Sequence, residues 1–214
     1  MTSKHIHNGY VYLLIALLLL WFLSPIVEQM EAQRHLLGLM FTLLMLLAAW
    51  ATSRSRTGRW VSLLLAAASA GLFWFGTAWG KTEFTRLSRL ASFVYCAFIV
   101  VVILRHIVSA KKVDTNILCG AASIYILIAV AWAVSYWTIS DLDPAAFSQI
   151  DTTVSQDSQF YHFYYFSLVT LTSVGYGDIT PVSHFAKMWV SMEAVCGTFY
   201  LAVLVSRLVS LFQR

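Results

Sequence analysis

Long apolar stretches alternate with short polar linkers along the whole chain. An α-helix needs about 20 mostly apolar residues to cross a bilayer, and six stretches come close to this length. They are Tyr10–Val27, Leu36–Ala51, Arg59–Trp79, Leu87–Ile107, Ile117–Ile139 and Phe185–Leu211. A seventh stretch, Phe160–Thr172, is too short to span and predicts a re-entrant helix. The pattern therefore predicts an all-α membrane protein with six transmembrane helices.

The composition agrees with this pattern. Hydrophobic residues make up 59% of the chain and charged residues only 11%, which is too apolar for an ordinary soluble domain. The first four predicted spans form a peripheral four-helix domain over residues 1–109. The last two spans, with the short helix between them, form a second domain over residues 110–214.

The linker charges predict the orientation. Six spans place both termini on one side, and basic linkers favour the cytoplasmic side. The linkers 53–59 and 105–112 are basic, so we expect both termini on the cytoplasmic side. The membrane itself is expected to be the plasma membrane or the inner membrane. The third linker is an exception, because it is basic although predicted external. The acidic residues predicted outside are Glu28, Glu31, Asp141, Asp143, Asp151 and Asp157.

A polar segment with two glycines lies between the short helix and the last span. Residues Thr172 to Asp178 read Thr-Ser-Val-Gly-Tyr-Gly-Asp. Rings of backbone carbonyls can replace the water oxygens of a dehydrated cation. Carbonyls that point one way in succession require φ angles that L-residues resist, and Gly175 and Gly177 permit them. The segment therefore predicts a cation-binding loop.

The stretch Thr170–Pro181 closely resembles the pore loop of tetrameric potassium channels. The resemblance extends from Phe160 to about Val209. It implies a selectivity filter that passes potassium ions, with no other cofactor. One loop is present per chain and a carbonyl ring needs four, so a homotetramer in the lipid bilayer is expected. The filter residues are Thr172, Ser173, Val174, Gly175, Tyr176, Gly177 and Asp178.

The resemblance also implies roles for single residues. Potassium ions would be bound by the carbonyls of Ser173, Val174, Gly175 and Tyr176, and the innermost site would be closed by the Ser173 hydroxyl. Tyr165 takes a position that is usually Trp in the family. There it would support the filter through a hydrogen bond to Asp178.

The last span carries the predicted gate. Gly197 lies twenty residues after Gly177, which matches the family's hinge glycine, although close packing is the alternative. Glu193 is an acid inside the span, either functional or bonded to hydroxyls of the pore helix. Arg207 is expected to reach the inner headgroups. The face predicted to line the cavity consists of Thr198, Leu201 and Val205.

The peripheral helices lack the charges of a voltage sensor. Arg86 and Arg89 have the three-residue spacing of such a sensor, but Leu90–Leu104 carries no charge. We therefore expect no steep voltage gating, with a voltage-gated or lipid-gated potassium channel and a non-conducting regulatory subunit as alternatives. The spans hold no converging catalytic or metal-binding groups, so an enzyme is not expected. Nucleic acid is not an expected partner, since there is no soluble basic domain to hold it.

Overall fold

The structure is a computed structural model, and it describes residues 8–27, 30, 33–52, 56–110, 114–148 and 159–212. The side chain of Val205 lies outside this description, and so does its predicted place in the cavity lining. The same holds for several predicted linker charges, namely Glu28, Glu31, Lys111, Lys112, Asp151 and Asp157.

Helices dominate the described residues. They are α1 (Gly9–Val27), α2 (Gln33–Thr52), α3 (Arg56–Trp79), α4 (Thr82–Ser109), α5 (Thr115–Leu142), α6 (Gln159–Leu171) and α7 (His184–Phe212). The helices α1 to α5 each contain a stretch that is long and apolar enough to cross a membrane. The all-helical prediction is confirmed, and so are these five candidate spans. A sixth span at α7 and a re-entrant role for α6 stay predictions.

Local sequence explains where two of the helices meet their linkers. The helix α3 ends at Trp79 and is followed by Gly80 with φ +63°, a left-handed angle that glycine adopts without strain. The helix α5 begins after Asp114, whose side chain accepts a hydrogen bond of 2.8 Å from the Ile117 amide.

The peripheral helices pack against α5 of the same chain. The Tyr10 amide in α1 donates to the Asn116 side chain at 3.0 Å, and the Tyr10 hydroxyl lies 2.8 Å from His106 Nδ1. One buried hydrophobic cluster extends from α1 through α4 and α5 to α6. The joint between α4 and α5 coincides with the predicted domain boundary, and the division into two domains stays a prediction.

Two short strands hold the chain on either side of α6. Strand β1 (Phe147–Ser148) pairs antiparallel with β2 (Thr180–Pro181). The Ser148 and Thr180 hydroxyls lie 2.6 Å apart. The segment after α5 is thereby joined to the segment before α7. The sequence pattern did not predict this pairing, because two-residue strands leave no periodic signal.

The helix α6 is buried mainly against α5. Its aromatic residues Phe163 and Phe166 surround the Tyr136 ring of α5, together with Phe147. The fold therefore fixes α6 between α5 and α7, with its carboxyl end leading directly into residues 172–178.

Candidate functional site

The loop after α6 has an alternating backbone. Ser173, Gly175 and Gly177 have φ angles of 59°, 59° and 78°, whereas Val174 and Tyr176 between them are not in this region. An alternation of this kind can turn successive carbonyls to the same side of the chain. The sequence predicted this conformation for the two glycines. It missed Ser173, which is the one non-glycine residue with positive φ in the described chain.

The amides of the loop are bonded back to α6. Ser173 N donates to Thr170 O at 3.0 Å, and Val174 N donates to Val169 O at 3.0 Å. The Thr172 hydroxyl donates to Leu168 O at 2.7 Å. Among the described residues, no protein donor bonds the carbonyl oxygens of residues 173–176. These carbonyls are the oxygens that the sequence assigned to potassium.

The loop lies on the surface of the single chain. All seven residues from Thr172 to Asp178 are exposed, and Tyr176 is 71% exposed. The Tyr165 hydroxyl lies near the Asp178 carboxylate, and the predicted hydrogen bond between them stays a prediction. The Tyr176 ring makes no ring–ring contact within the described part of the chain.

Gly197 lies against the end of α6. A Cβ atom added at Gly197 would stand 2.7 Å from Leu171 O and 2.8 Å from Leu171 Cδ1. The same carbonyl accepts a 3.1 Å bond from the Tyr125 hydroxyl of α5. This close approach requires glycine whether or not α7 bends here. The predicted hinge therefore stays a prediction beside a packing role that the contacts explain.

The other predicted cavity residues lie nearby on α7. Leu201 is 42% exposed, and Thr198 is exposed with its hydroxyl donating to Ala194 O of its own helix at 3.0 Å. Neither side chain is covered within the single chain.

Glu193 is fully buried between three helices. Its carboxyl group contacts the Tyr136 hydroxyl of α5 at 2.5 Å and the Ser167 hydroxyl of α6. The sequence had offered bonding to hydroxyls of the pore helix as one interpretation. It did not identify Tyr136, which is 57 residues away along the chain.

The two arginines of α4 share one acid. Arg86 Nε lies 2.7 Å and Arg89 Nη2 lies 2.6 Å from the same oxygen of Asp141, in the last turn of α5. The Arg89 guanidinium also stacks on the Trp137 ring at 4.5 Å. Sequence reasoning missed this cluster, because it placed Asp141 in an external linker. The sequence did contain a signal for this cluster, because the two arginines and the aspartate stand at span ends that were predicted on the same side of the membrane.

Arg207 bonds the backbone where α4 ends, and its predicted reach to the inner headgroups stays a prediction. Its guanidinium donates to Val108 O at 2.7 Å and to Ala110 O at 3.1 Å. The last carbonyls of a helix lack partners within that helix, so α4 offers acceptors at this point. The carboxyl-terminal part of α7 is therefore bound to the junction between α4 and α5.

Comparisons with known proteins concern the second half of the chain. Residues 117–214 match a family model described as Ion channel. The inward rectifier potassium channel Kirbac3.1 of Paramagnetospirillum magnetotacticum is 37% identical over 51 residues, which cover 24% of this chain and 17% of that protein. No solved structure matches the chain significantly. The second half of the chain thus matches an ion channel family, and the five apolar helices α1 to α5 fit an integral membrane protein.

Proposed function

We propose that the chain forms a potassium-selective ion channel with residues 172–178 as its filter. The observation that carries this proposal is the alternating backbone of the loop, together with the carbonyls of residues 173–176 that no described protein donor bonds. Such oxygens suit a dehydrated monovalent cation, which needs neutral ligands at close range. The short match to a potassium channel favours the same ion.

The pore is proposed to form from four copies of the chain around one axis. A single chain supplies one side of each carbonyl ring, and its loop is exposed. The exposed side of α7 carries an apolar stripe at three- and four-residue spacing, which is typical of a helix–helix contact. The stripe consists of Phe185, Met188, Met192, Val195 and Phe199. In this proposal α7 is the sixth span and α6 the re-entrant pore helix.

The peripheral helices are proposed to act as a scaffold. Arg86 and Arg89 would have to leave Asp141 before α4 moved through the membrane field. Moving a charge across 100 mV contributes only about 2.3 kcal/mol. Two charges near one membrane surface cross only part of that field. Steep voltage gating is therefore not part of the proposed function.

Potassium flux from the purified protein tests the proposal. The native chain alone, reconstituted in liposomes, should release potassium down its gradient, and barium should block the release. Gly177→Ala liposomes serve as the matched control, since the added Cβ opposes the positive φ while leaving the helices unchanged. Protein that assembles but passes no potassium would instead favour a non-conducting regulatory subunit.

A further inference from the structure

Three hydrogen-bonding contacts form the cluster around Glu193, two at its carboxyl group and one between Ser167 and Ala129, and together they need three protons. The Tyr136 hydroxyl contacts Oε2, and the Ser167 hydroxyl contacts both Oε1 and, at 2.9 Å, Ala129 O. Carboxylate and carbonyl oxygens accept but do not donate. Tyr136 and Ser167 supply one proton each, and each hydroxyl proton makes one well-aligned bond. A third proton is therefore missing from the cluster.

The missing proton belongs on the carboxyl group. If Oε1 carries it, Glu193 donates to Ser167, Ser167 donates to Ala129 O, and Tyr136 donates to Oε2. All three contacts are then satisfied. If Glu193 is ionised, either Ala129 O or Oε1 loses its donor.

The surroundings of Glu193 agree with a neutral acid. Glu193, Ser167 and Tyr136 are each fully buried among α5, α6 and α7. No arginine, lysine or histidine pairs with Glu193 among the described residues. An unpaired carboxylate is strongly disfavoured in such an environment. The other titratable groups close to the cluster are Tyr125 and Cys196, and neither is a cation.

We propose that Glu193 is a protonated carboxylic acid at neutral pH and acts as a positioning residue for the proposed filter. Its proton completes a chain of bonds from α5 through α7 to α6. The helix α6 carries the loop at its carboxyl end, so holding Ser167 holds the helix that carries the filter. The acid thus serves as a neutral hydrogen-bonding bridge within the membrane.

Glu193→Gln is the decisive variant. A glutamine side chain has nearly the same shape, its amide can donate to Ser167, and its carbonyl can accept from Tyr136. It therefore reproduces the neutral acid but not the carboxylate. Glu193→Ala removes both bonds. Tyr200→Phe is the matched control, because it deletes a 2.6 Å bond between α7 and Ala121 of α5 without touching α6.

Infrared difference spectra test the proton without reference to transport. Subtracting the Glu193→Gln spectrum from the native spectrum at neutral pH should reveal one carbonyl stretch of a protonated acid. Tyr136→Phe should move that band to higher frequency, because the carbonyl loses its donor. A difference spectrum that contains carboxylate bands in place of the acid band overturns the proposal.

Potassium flux tests the positioning role, and this arm rests on the proposed function. Flux in Glu193→Gln should stay within about twofold of native, whereas Glu193→Ala should lower flux per assembled protein about tenfold. Tyr200→Phe should leave the potassium flux per assembled protein unchanged. A glutamine variant as impaired as the alanine variant overturns the neutral bridge. Native protein without flux refutes the proposed function and the positioning role together, and the infrared result then decides on the proton alone.

Discussion

Asp141→Asn should destabilise the contact between α4 and α5 far more than removal of the exposed Glu83 charge. The Arg89 and Asp141 side chains are only 12% and 9% exposed, and their charged atoms are 2.6 Å apart. Removing one partner of such a buried pair costs about 3–5 kcal/mol, because the other charge is left without compensation. Arg86 loses the same acid, but its greater exposure lets water replace the carboxylate.

Thermal unfolding of the purified protein measures this effect. A loss of about 3–5 kcal/mol corresponds to roughly 6–20 °C in the midpoint for a chain of this size. Glu83→Gln is the matched control, since Glu83 is 80% exposed and lies 3.5 Å from Arg86. Its removal should change the free energy of unfolding by less than about 1 kcal/mol. Combining Asp141→Asn with Arg89→Gln should recover part of the loss, because the unpaired buried cation is gone.

Equal unfolding midpoints for native protein and Asp141→Asn would refute this reasoning. They would mean that the arginines are fully hydrated and that the carboxylate contributes nothing to the packing of α4 on α5. The scaffold role of the peripheral helices would then lose its main support.

Three further predictions follow from the loop and the helices around it. Gly177→Ala should abolish selective conduction while tetramers still form, as size-exclusion chromatography of the mutant would show; normal selectivity would refute the filter assignment. Gly197→Ala should lower open probability in single-channel records and leave selectivity unchanged. A change in selectivity would favour a packing role against Leu171 over a hinge. Neutralising Arg86 and Arg89 together to Gln should leave the conductance–voltage curve nearly unmoved. A steep native curve that flattened in this variant would identify the two arginines as gating charges.

The helices and the loop were predictable from the sequence because their signals are local. Apolar stretch length predicted α1 to α5, and the two glycines predicted positive φ angles at positions 175 and 177. The acid inside α7 was also recognisable as a special group, because an ionisable residue in an apolar span is rare.

The partners of buried polar groups were not predictable in this way. Arg86 and Asp141 are 55 residues apart, and Arg207 and Val108 are 99 residues apart. Their pairing depends on how α4, α5 and α7 pack, which hydrophobic periodicity does not determine. The positive φ of Ser173 was missed for a related reason, since the surrounding loop imposes an angle that serine alone disfavours.

The reversal potential in mixed potassium and sodium solutions tests the central claim most directly. It should be measured in planar bilayers on the purified native protein, with potassium in excess on one side, sodium in excess on the other, and some of each ion on both sides. The carbonyl oxygens of residues 173–176 predict a reversal potential close to that of potassium alone. A reversal potential near zero, which would indicate no preference between the two ions, would contradict the account.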